Sequence, residues 1–524
     1  MLAGLGERGA LERAARRLLR LASWLGVAFF SLQLLTFGHG RDQGIYSVVA
    51  RTLLEGGMPY RDAWDFKPPG IFFVYALARA LFGSAQWGIR VVEVAGLLAT
   101  IFVIVRLSER MWGDRLPGEV AGACAALCHV QLDFWHTAQP ESFGGMLTVG
   151  ALAAAERAGV LHRPSEDHAR EGRWLVLAGA LFGLSGLLKP PLAGGGAVLA
   201  VVLAVARARE APRDVRAWLA PSVRRGLAIL LGGALPFALT LGLFAAKGAL
   251  ADLREVLFVF TPHYTKLGWQ DASVTGMVYW AYSEWFLSYA SVTPVGLLLL
   301  ASTGPRPLPG GPARPVGAPR GTKSALFVVL LLGVISIHLV GVALQGKFFP
   351  YHYGATWPLT AMLVGLGVVN GLRWSAERGP LAVALYAALV CVTPNLRSST
   401  KDVADSFWVR SGMRLAMLAG KKPRPLTDDQ LASVADVSAG ANREVAAFVR
   451  AHTPADRPLF VWGFEPVIYD LAERPLASRF VYDVPQRVSW AKGPHARGAH
   501  GRSREAAPRG HRGRAPRRVP HGDG

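Results

Sequence analysis

Apolar runs of spanning length recur along most of this chain, separated by short polar loops. They fall near residues 21–37, 88–105, 118–135, 140–156, 174–189, 191–206, 226–246, 278–300, 325–344, 354–372 and 380–394. A bilayer core about 30 Å thick takes roughly 20 apolar residues as a helix, so the pattern predicts an all-α polytopic membrane protein with about eleven spans. The run 70–83 is shorter, follows Pro68-Pro69 and carries Arg79, which suits an interfacial or re-entrant helix.

The basic residues set the orientation. Arg8, Arg13, Arg16, Arg17 and Arg20 precede the first run, which lacks a small-residue cleavage site and reads as a retained signal anchor with a cytoplasmic N-terminus. If 70–83 does not cross, Arg106/Arg110/Arg115, Arg157/Arg163/Arg170/Arg173, the 207–225 arginines, Arg306/Arg314/Arg320/Lys323 and Arg373/Arg378 all fall on the cytoplasmic side. Counting it as a span would put every later basic loop outside. The C-terminus is then extracytoplasmic.

Composition agrees with the pattern. Of 524 residues, 51% are hydrophobic and 18% charged, and mean hydropathy is +0.28, against roughly a quarter charged residues in soluble domains. The net charge of +21 sits largely in inter-span loops, so membrane orientation rather than nucleic acid accounts for it. Cys124, Cys128 and Cys391 lie inside apolar runs, and the first two read as buried small hydrophobes rather than a metal pair.

Residues 1–395 thus form a transmembrane domain, with 38–87 a large extracytoplasmic loop carrying interfacial helices. The Pro/Gly-rich, basic stretch 303–324 is a flexible connector. In 396–490 a helix over Asp428–Ala451, a strand at Pro458–Trp462, a short helix and a strand near Ser478–Tyr482 suggest a small, truncated α/β portion. From Ala491 the text loses all apolar periodicity and adds roughly +7 charge, reading as a disordered basic tail or a shifted reading frame.

Candidate chemistry concentrates at 38–73, GHGRDQGIYSVVARTLLEGGMPYRDAWDFKPPGIFF. Asp42 opens an amphipathic helix (Ile45, Val48, Val49, Leu53, Leu54), Gly56-Gly57 stops it, and Tyr60, Asp62, Asp65 and Lys67 lead into Pro68-Pro69. Polar groups at the mouth of a helical bundle suit an amphipathic substrate, with a cation to balance phosphate charge and a carboxylate to take a proton from a hydroxyl. Ordinary structural duties compete. Asp42 can pair with Arg41, Lys67 and Lys189 can snorkel, Glu141 can face a helix dipole, and Asp62 and Asp65 can be solvated loop acids. His136, His263 and His352 are isolated histidines of the same side. Phosphate-loop, His-Glu-x-x-His and Gly-x-Ser-x-Gly signatures are absent from the sequence.

The order Asp42, helix, Gly56-Gly57, Tyr60, Lys67-Pro68-Pro69 and aromatic-rich helix resembles the GT-C membrane glycosyltransferases. More narrowly it resembles glycosyltransferase family 39, the dolichyl-phosphate-mannose-protein mannosyltransferase-like proteins, and the bacterial lipid A aminoarabinose transferases. Gln139-Pro140-Glu141, Leu187-Leu188-Lys189-Pro190, and Gln345-Gly346-Lys347-Phe348 with Tyr351-His352-Tyr353 agree with it, over about 17–395 and weakly 440–485.

The resemblance implies an inverting transferase that moves a sugar from a polyprenyl-phosphate donor to a lipid, glycan or protein. Asp42 and Glu141 would be its catalytic carboxylates, Lys67 and Lys189 its phosphate-binding cations, and Tyr60, Asp65, Lys347 and His352 further donor or acceptor contacts. Gln43 stands where family members often carry Glu, which weakens an Asp42–residue 43 metal pair; a divalent ion held by Asp42 and Glu141 stays open. The other classes with this outline are a secondary transporter or lipid flippase, which often shows internal symmetry not seen here, and a non-catalytic membrane partner.

Overall fold

A computed structural model describes residues 2–483 and Arg487, apart from 162–166, 211, 270–271, 288–291, 304–321 and 394–405. The expected tail from 491 and most of the 303–324 connector lie outside the described residues. The helices are α1 (Leu2–Gln33), α2 (Arg41–Leu54), α3 (Gly70–Phe82), α4 (Trp87–Trp112), α5 (Leu116–Gln131), α6 (Pro140–Arg157), α7 (His168–Leu188), α8 (Gly194–Glu210), α9 (Val215–Ala246) and α10 (Leu250–Arg254). A π-helical stretch, Glu255–Phe260, then leads to α11 (Thr261–Trp269), α12 (Val274–Leu287), α13 (Val292–Thr303), α14 (Thr322–Gln345), α15 (Trp357–Ala376) and α16 (Pro380–Val392). The remainder carries α17 (Phe407–Leu418), α18 (Arg424–Ala432), α19 (Ala439–His452) and α20 (Val467–Ala472).

Seven of the described helices are long and apolar enough to cross a bilayer: α1, α4, α7, α8, α9, α14 and α15, some with a short 3-10 extension. An eighth crossing results if α12 and α13, bent by 91°, act as one broken span. The other expected spans are α5, α6 and α16. The first two carry buried Glu119, His129, Glu141 and Thr148, which a helix tolerates when it faces protein rather than lipid. Helix α3 has 13 residues, about 20 Å at 1.5 Å per residue, too short for the hydrocarbon core.

Helix α15 is the central post. It is apolar on nearly every side, and its residues are enclosed from Trp357 through Leu372 by α5, α13, α1, α6 and α16. The tightest pair is α7 on α9, where small residues let backbones meet. A Cβ added to Gly179 would stand 2.1 Å from the Ile229 carbonyl oxygen, and one on Gly183 would stand 2.3 Å from that of Gly233. At the same crossing the Glu171 carboxylate accepts from Arg225 Nε and Nη2 at 2.8 and 3.0 Å.

The C-terminal portion departs from the α/β expectation. Its single expected helix is two, α18 and α19, separated where Asp436 turns left-handed at φ 53°. The expected strands are not strands: among the described residues they form only isolated bridges, Leu459 to Leu476 and Trp64 to Phe480. A strand needs neighbours on which to build a ladder. Here the second segment docks onto the 60–69 loop instead.

Because the α7–α9 contact leaves no room for a side chain, Gly179→Val should destabilise the folded protein by about 1–3 kcal/mol. Thermal unfolding of the purified protein in one detergent checks this; an unchanged midpoint would contradict the close approach.

Candidate active site

The site is assembled by two loops, 34–40 before α2 and 132–139 before α6, and both are held by α4. Arg90 and Glu93 lie three residues apart on α4, wholly buried, with Arg90 Nη1 2.9 Å from Glu93 Oε2. Arg90 also donates to the carbonyls of Phe37 (3.3 Å) and Gly38 (2.6 Å). Glu93 accepts the backbone N–H of Ala138, and its Oε1 lies 2.8 Å from His129 Nε2. One ion pair thus fixes the approach to Asp42 and the approach to Glu141.

Gln43 ties the two loops directly. Its Oε1 accepts the Gly40 N–H at 3.0 Å, and its Nε2 donates to the carbonyls of Phe134 (3.0 Å) and Thr137 (2.8 Å). A carboxylate could not donate these bonds, so the residue that departs from the family pattern here serves as a clamp. Positive φ at Asp133 (53°) and Ala138 (52°) places two of the five described non-glycine residues of that kind in the second of these loops, and Tyr60 (71°) lies in the loop before α3.

Four charges converge within this frame. Lys67 Nζ lies 4.0 Å from Asp42 Oδ2, and Lys189 Nζ lies 2.8 Å from Glu141 Oε1. Gln139 accepts from the Tyr46 hydroxyl at 3.1 Å and donates to Asp42 Oδ2 at 3.3 Å, which fixes the orientation of its amide. Arg41 does not pair with its neighbour Asp42; it reaches Glu465 at 3.2 Å and the Asp436 carbonyl at 2.7 Å. The Asp42 side chain is 25% exposed and that of Glu141 only 2%, so an incoming group can reach the first and not the second.

Burial disfavours the Lys67 ammonium, but Tyr351 and the carboxylates of Asp42, Glu141 and Asp65 more than offset it and hold the lysine protonated. Lys189 is pushed down by burial and by Lys67, with Glu141 opposing. Lys347 is pushed down to about 8 by burial and by Lys67 and Lys189. Three lysines therefore share one electrostatic environment. The Lys347 ammonium sits 3.0 Å from the centre of the Tyr264 ring, and that of Lys67 lies 4.9 Å from the centre of the Tyr351 ring. His352 donates Nδ1–H to the Lys347 carbonyl at 2.5 Å, holding that loop.

Two expectations change here. Tyr60 is wholly buried, stacked on Phe244, and donates its hydroxyl hydrogen to the Lys67 carbonyl at 2.8 Å, so it shapes the lysine loop rather than facing a ligand. Asp65 is not a solvated loop acid. It is buried and accepts from the Tyr482 hydroxyl at 2.8 Å, and burial raises its carboxyl to about 6 despite the opposing pull of Lys67.

His136 lies behind the site with Nδ1 2.9 Å from the Cys128 carbonyl oxygen, and His263 with Nδ1 2.8 Å from that of Val259. Arg90, Glu93, Gln139, Tyr264, Tyr351 and Tyr482 were not among the expected site residues, although Gln139 and Tyr351 stand in motifs quoted for the resemblance. Two charges three residues apart in an apolar span were the available signal for the first pair.

Among the described residues no group of three or more His, Cys, Asp or Glu gathers to hold a metal. Asp42 and Glu141 are each faced by a lysine instead. An apolar groove of about 820 Å³, lined by Val176, Leu219, Val223, Leu227 and others of α7 and α9, contains none of the candidate residues.

Seven described helices long and apolar enough to cross a bilayer, with paired charges gathered in one place, make this a multi-pass membrane protein, and its fold matches the GT-C polytopic membrane fold through its likeness to ArnT. Residues 66–231 match the family described as dolichyl-phosphate-mannose-protein mannosyltransferase. ArnT from Cupriavidus metallidurans bound to undecaprenyl phosphate superposes with TM-score 0.50 at 16% identity, over 88% of this chain and 85% of that one. Its apo state gives TM-score 0.49 at 17% identity, over 88% and 84%. The oligosaccharyltransferase AglB from Archaeoglobus fulgidus, in complex with an inhibitory peptide and a dolichol-phosphate, gives 0.42 at 14% identity, over 87% and 64%. At such identities the likeness to ArnT is one of fold. No curated protein matches the chain by sequence.

The Asp65 carboxyl binds its proton more tightly folded (about 6) than at its ordinary 3.8. Stability should therefore fall as pH rises from about 4 to about 6 and level off above. Asp65→Asn should flatten that decline in thermal unfolding measured across pH; an unaltered profile would refute the assignment.

Proposed function

We propose that this protein is an inverting glycosyltransferase that moves a sugar from a polyprenyl-phosphate carrier to an acceptor hydroxyl or amine at the extracytoplasmic face of a bacterial cytoplasmic membrane. The observation that carries this reading is the convergence of Asp42, Lys67, Glu141 and Lys189, drawn from α2, the loop before α3, α6 and the end of α7. The fold shared with ArnT, whose structure holds undecaprenyl phosphate, supports a polyprenyl phosphate as the lipid.

In this reading Asp42, the most accessible of the four, accepts the proton as the acceptor atom attacks the anomeric carbon. The bond from that carbon to the phosphate oxygen breaks, and the lipid phosphate leaves with the electron pair. Lys67 and Lys189 neutralise it in a site largely closed to water, where such charges act strongly. Glu141 holds Lys189 in place and keeps the resting site near neutrality. Lys347, on the late loop beside Tyr264, is a further contact for the departing phosphate or for the acceptor.

Asp42→Asn and Lys67→Ala should each lower sugar transfer from a radiolabelled polyprenyl-phosphate donor by roughly 10²–10⁴-fold while leaving membrane expression intact. Full activity in either would remove the site from this reading.

The residues present do not fit a protein-held divalent cation. Such an ion takes about six oxygen ligands, whereas Asp42 and Glu141 already face ammonium groups. Treatment with EDTA should leave the transfer rate within about twofold of the untreated enzyme; a collapse restored by a divalent salt would overturn that statement.

A further inference from the structure

The segment after α16 reads as polar and extramembranous, yet α17 is built inside out for such a place. Its inward face carries the charges. Arg410 Nε lies 3.0 Å and Arg414 Nη2 2.5 Å from Asp133 Oδ2, and Ser411 donates to Gln33 Oε1 at 2.8 Å, all buried. At 100° per residue the opposite face runs through Trp408, Val409, Gly412, Leu415, Ala416 and Ala419, every one of them apolar or glycine. That face is open: Trp408 is 43%, Val409 66% and Leu415 50% exposed. A helix that buries its arginines and presents its leucine to the surroundings has the polarity expected where those surroundings are hydrocarbon rather than water.

The position of α17 shows what covers this face. The Trp408 ring stacks on Phe29 at 6.4 Å and packs against Phe30 at 6.2 Å, near the end of the α1 span at which the site lies. Helix α1 leaves Leu21, Trp24, Leu25, Leu32 and Leu35 exposed, the face of a span turned to lipid. The apolar face of α17 therefore continues a lipid-facing surface around the rim of the bundle. Exposed Lys421 and Lys422 follow it directly, where ammonium groups meet phospholipid headgroups.

We propose that α17 is an interfacial membrane helix, embedded by Trp408, Val409 and Leu415 in the leaflet on the site's side of the membrane. Through Asp133 it fixes the 132–139 loop relative to the lipid surface. The proposal stands apart from the transferase reading, because it requires only that α1 crosses the membrane.

The test uses the full-length protein in nanodiscs, with single cysteines carrying a bimane label at Val409→Cys or Leu415→Cys in a background lacking the native cysteines. Glu444→Cys, on the exposed part of α19, supplies the aqueous reference. Phospholipid bearing a doxyl group near the headgroup should quench the labels at 409 and 415 at least about twofold more than the label at 444. Quenching equal to that at 444 would overturn the proposal, since the face would then be in water. Labels shielded from aqueous iodide but not quenched by doxyl lipid would overturn it too, showing that a protein surface covers the helix.

Discussion

Everything at the mouth of this bundle depends on a buried ion pair on one helix, Arg90 with Glu93. Each partner spends its remaining hydrogen-bonding capacity on a different loop, Arg90 on the carbonyls of Phe37 and Gly38, Glu93 on the N–H of Ala138. Opposite charges in a low-dielectric interior hold their geometry only when both are fully compensated. That requirement is what makes the pair a reference point. With it in place, α2 and α6 begin at fixed positions and bring Asp42 and Glu141 to the same side of the bundle.

Around that frame the charges alternate. Asp42 faces Lys67 and Glu141 faces Lys189, with Lys347 pushed down to about 8 by burial and by the two nearby lysines. Such an array tolerates burial because each carboxylate has a cation beside it. In the proposed reading an arriving anionic headgroup would compete with the two carboxylates for these lysines. The C-terminal portion joins the same network from outside, through Tyr482 on Asp65, Arg41 on Glu465, and Arg410 and Arg414 on Asp133.

Gln43 shows how a substitution within a resembled pattern acquires meaning only in three dimensions. Along the sequence it is a missing carboxylate. In the folded protein its amide donates to two carbonyls of the facing loop while accepting the Gly40 N–H, bonds that need a donor and an acceptor on one side chain. Tyr60 makes the converse point. A tyrosine in a polar loop reads as a ligand contact, yet its hydroxyl is committed to the Lys67 backbone.

The sequence by itself determined the membrane class, the rough position of the long apolar helices and the shortness of the 70–83 helix, because hydrocarbon thickness imposes a length on apolar runs that composition alone reveals. It also singled out Asp42, Lys67, Glu141 and Lys189, since charges in or beside such runs are costly and stand out. Tertiary structure decided which of these meet, since residues 42, 67, 141 and 189 are separated by tens of positions and no local pattern encodes their contact. It also decided that the 458–482 segment docks on a loop instead of forming a sheet, and that α17 turns its arginines inward. Which face of a helix is buried depends on the partner waiting there, and Asp133 lies far from α17 in the chain.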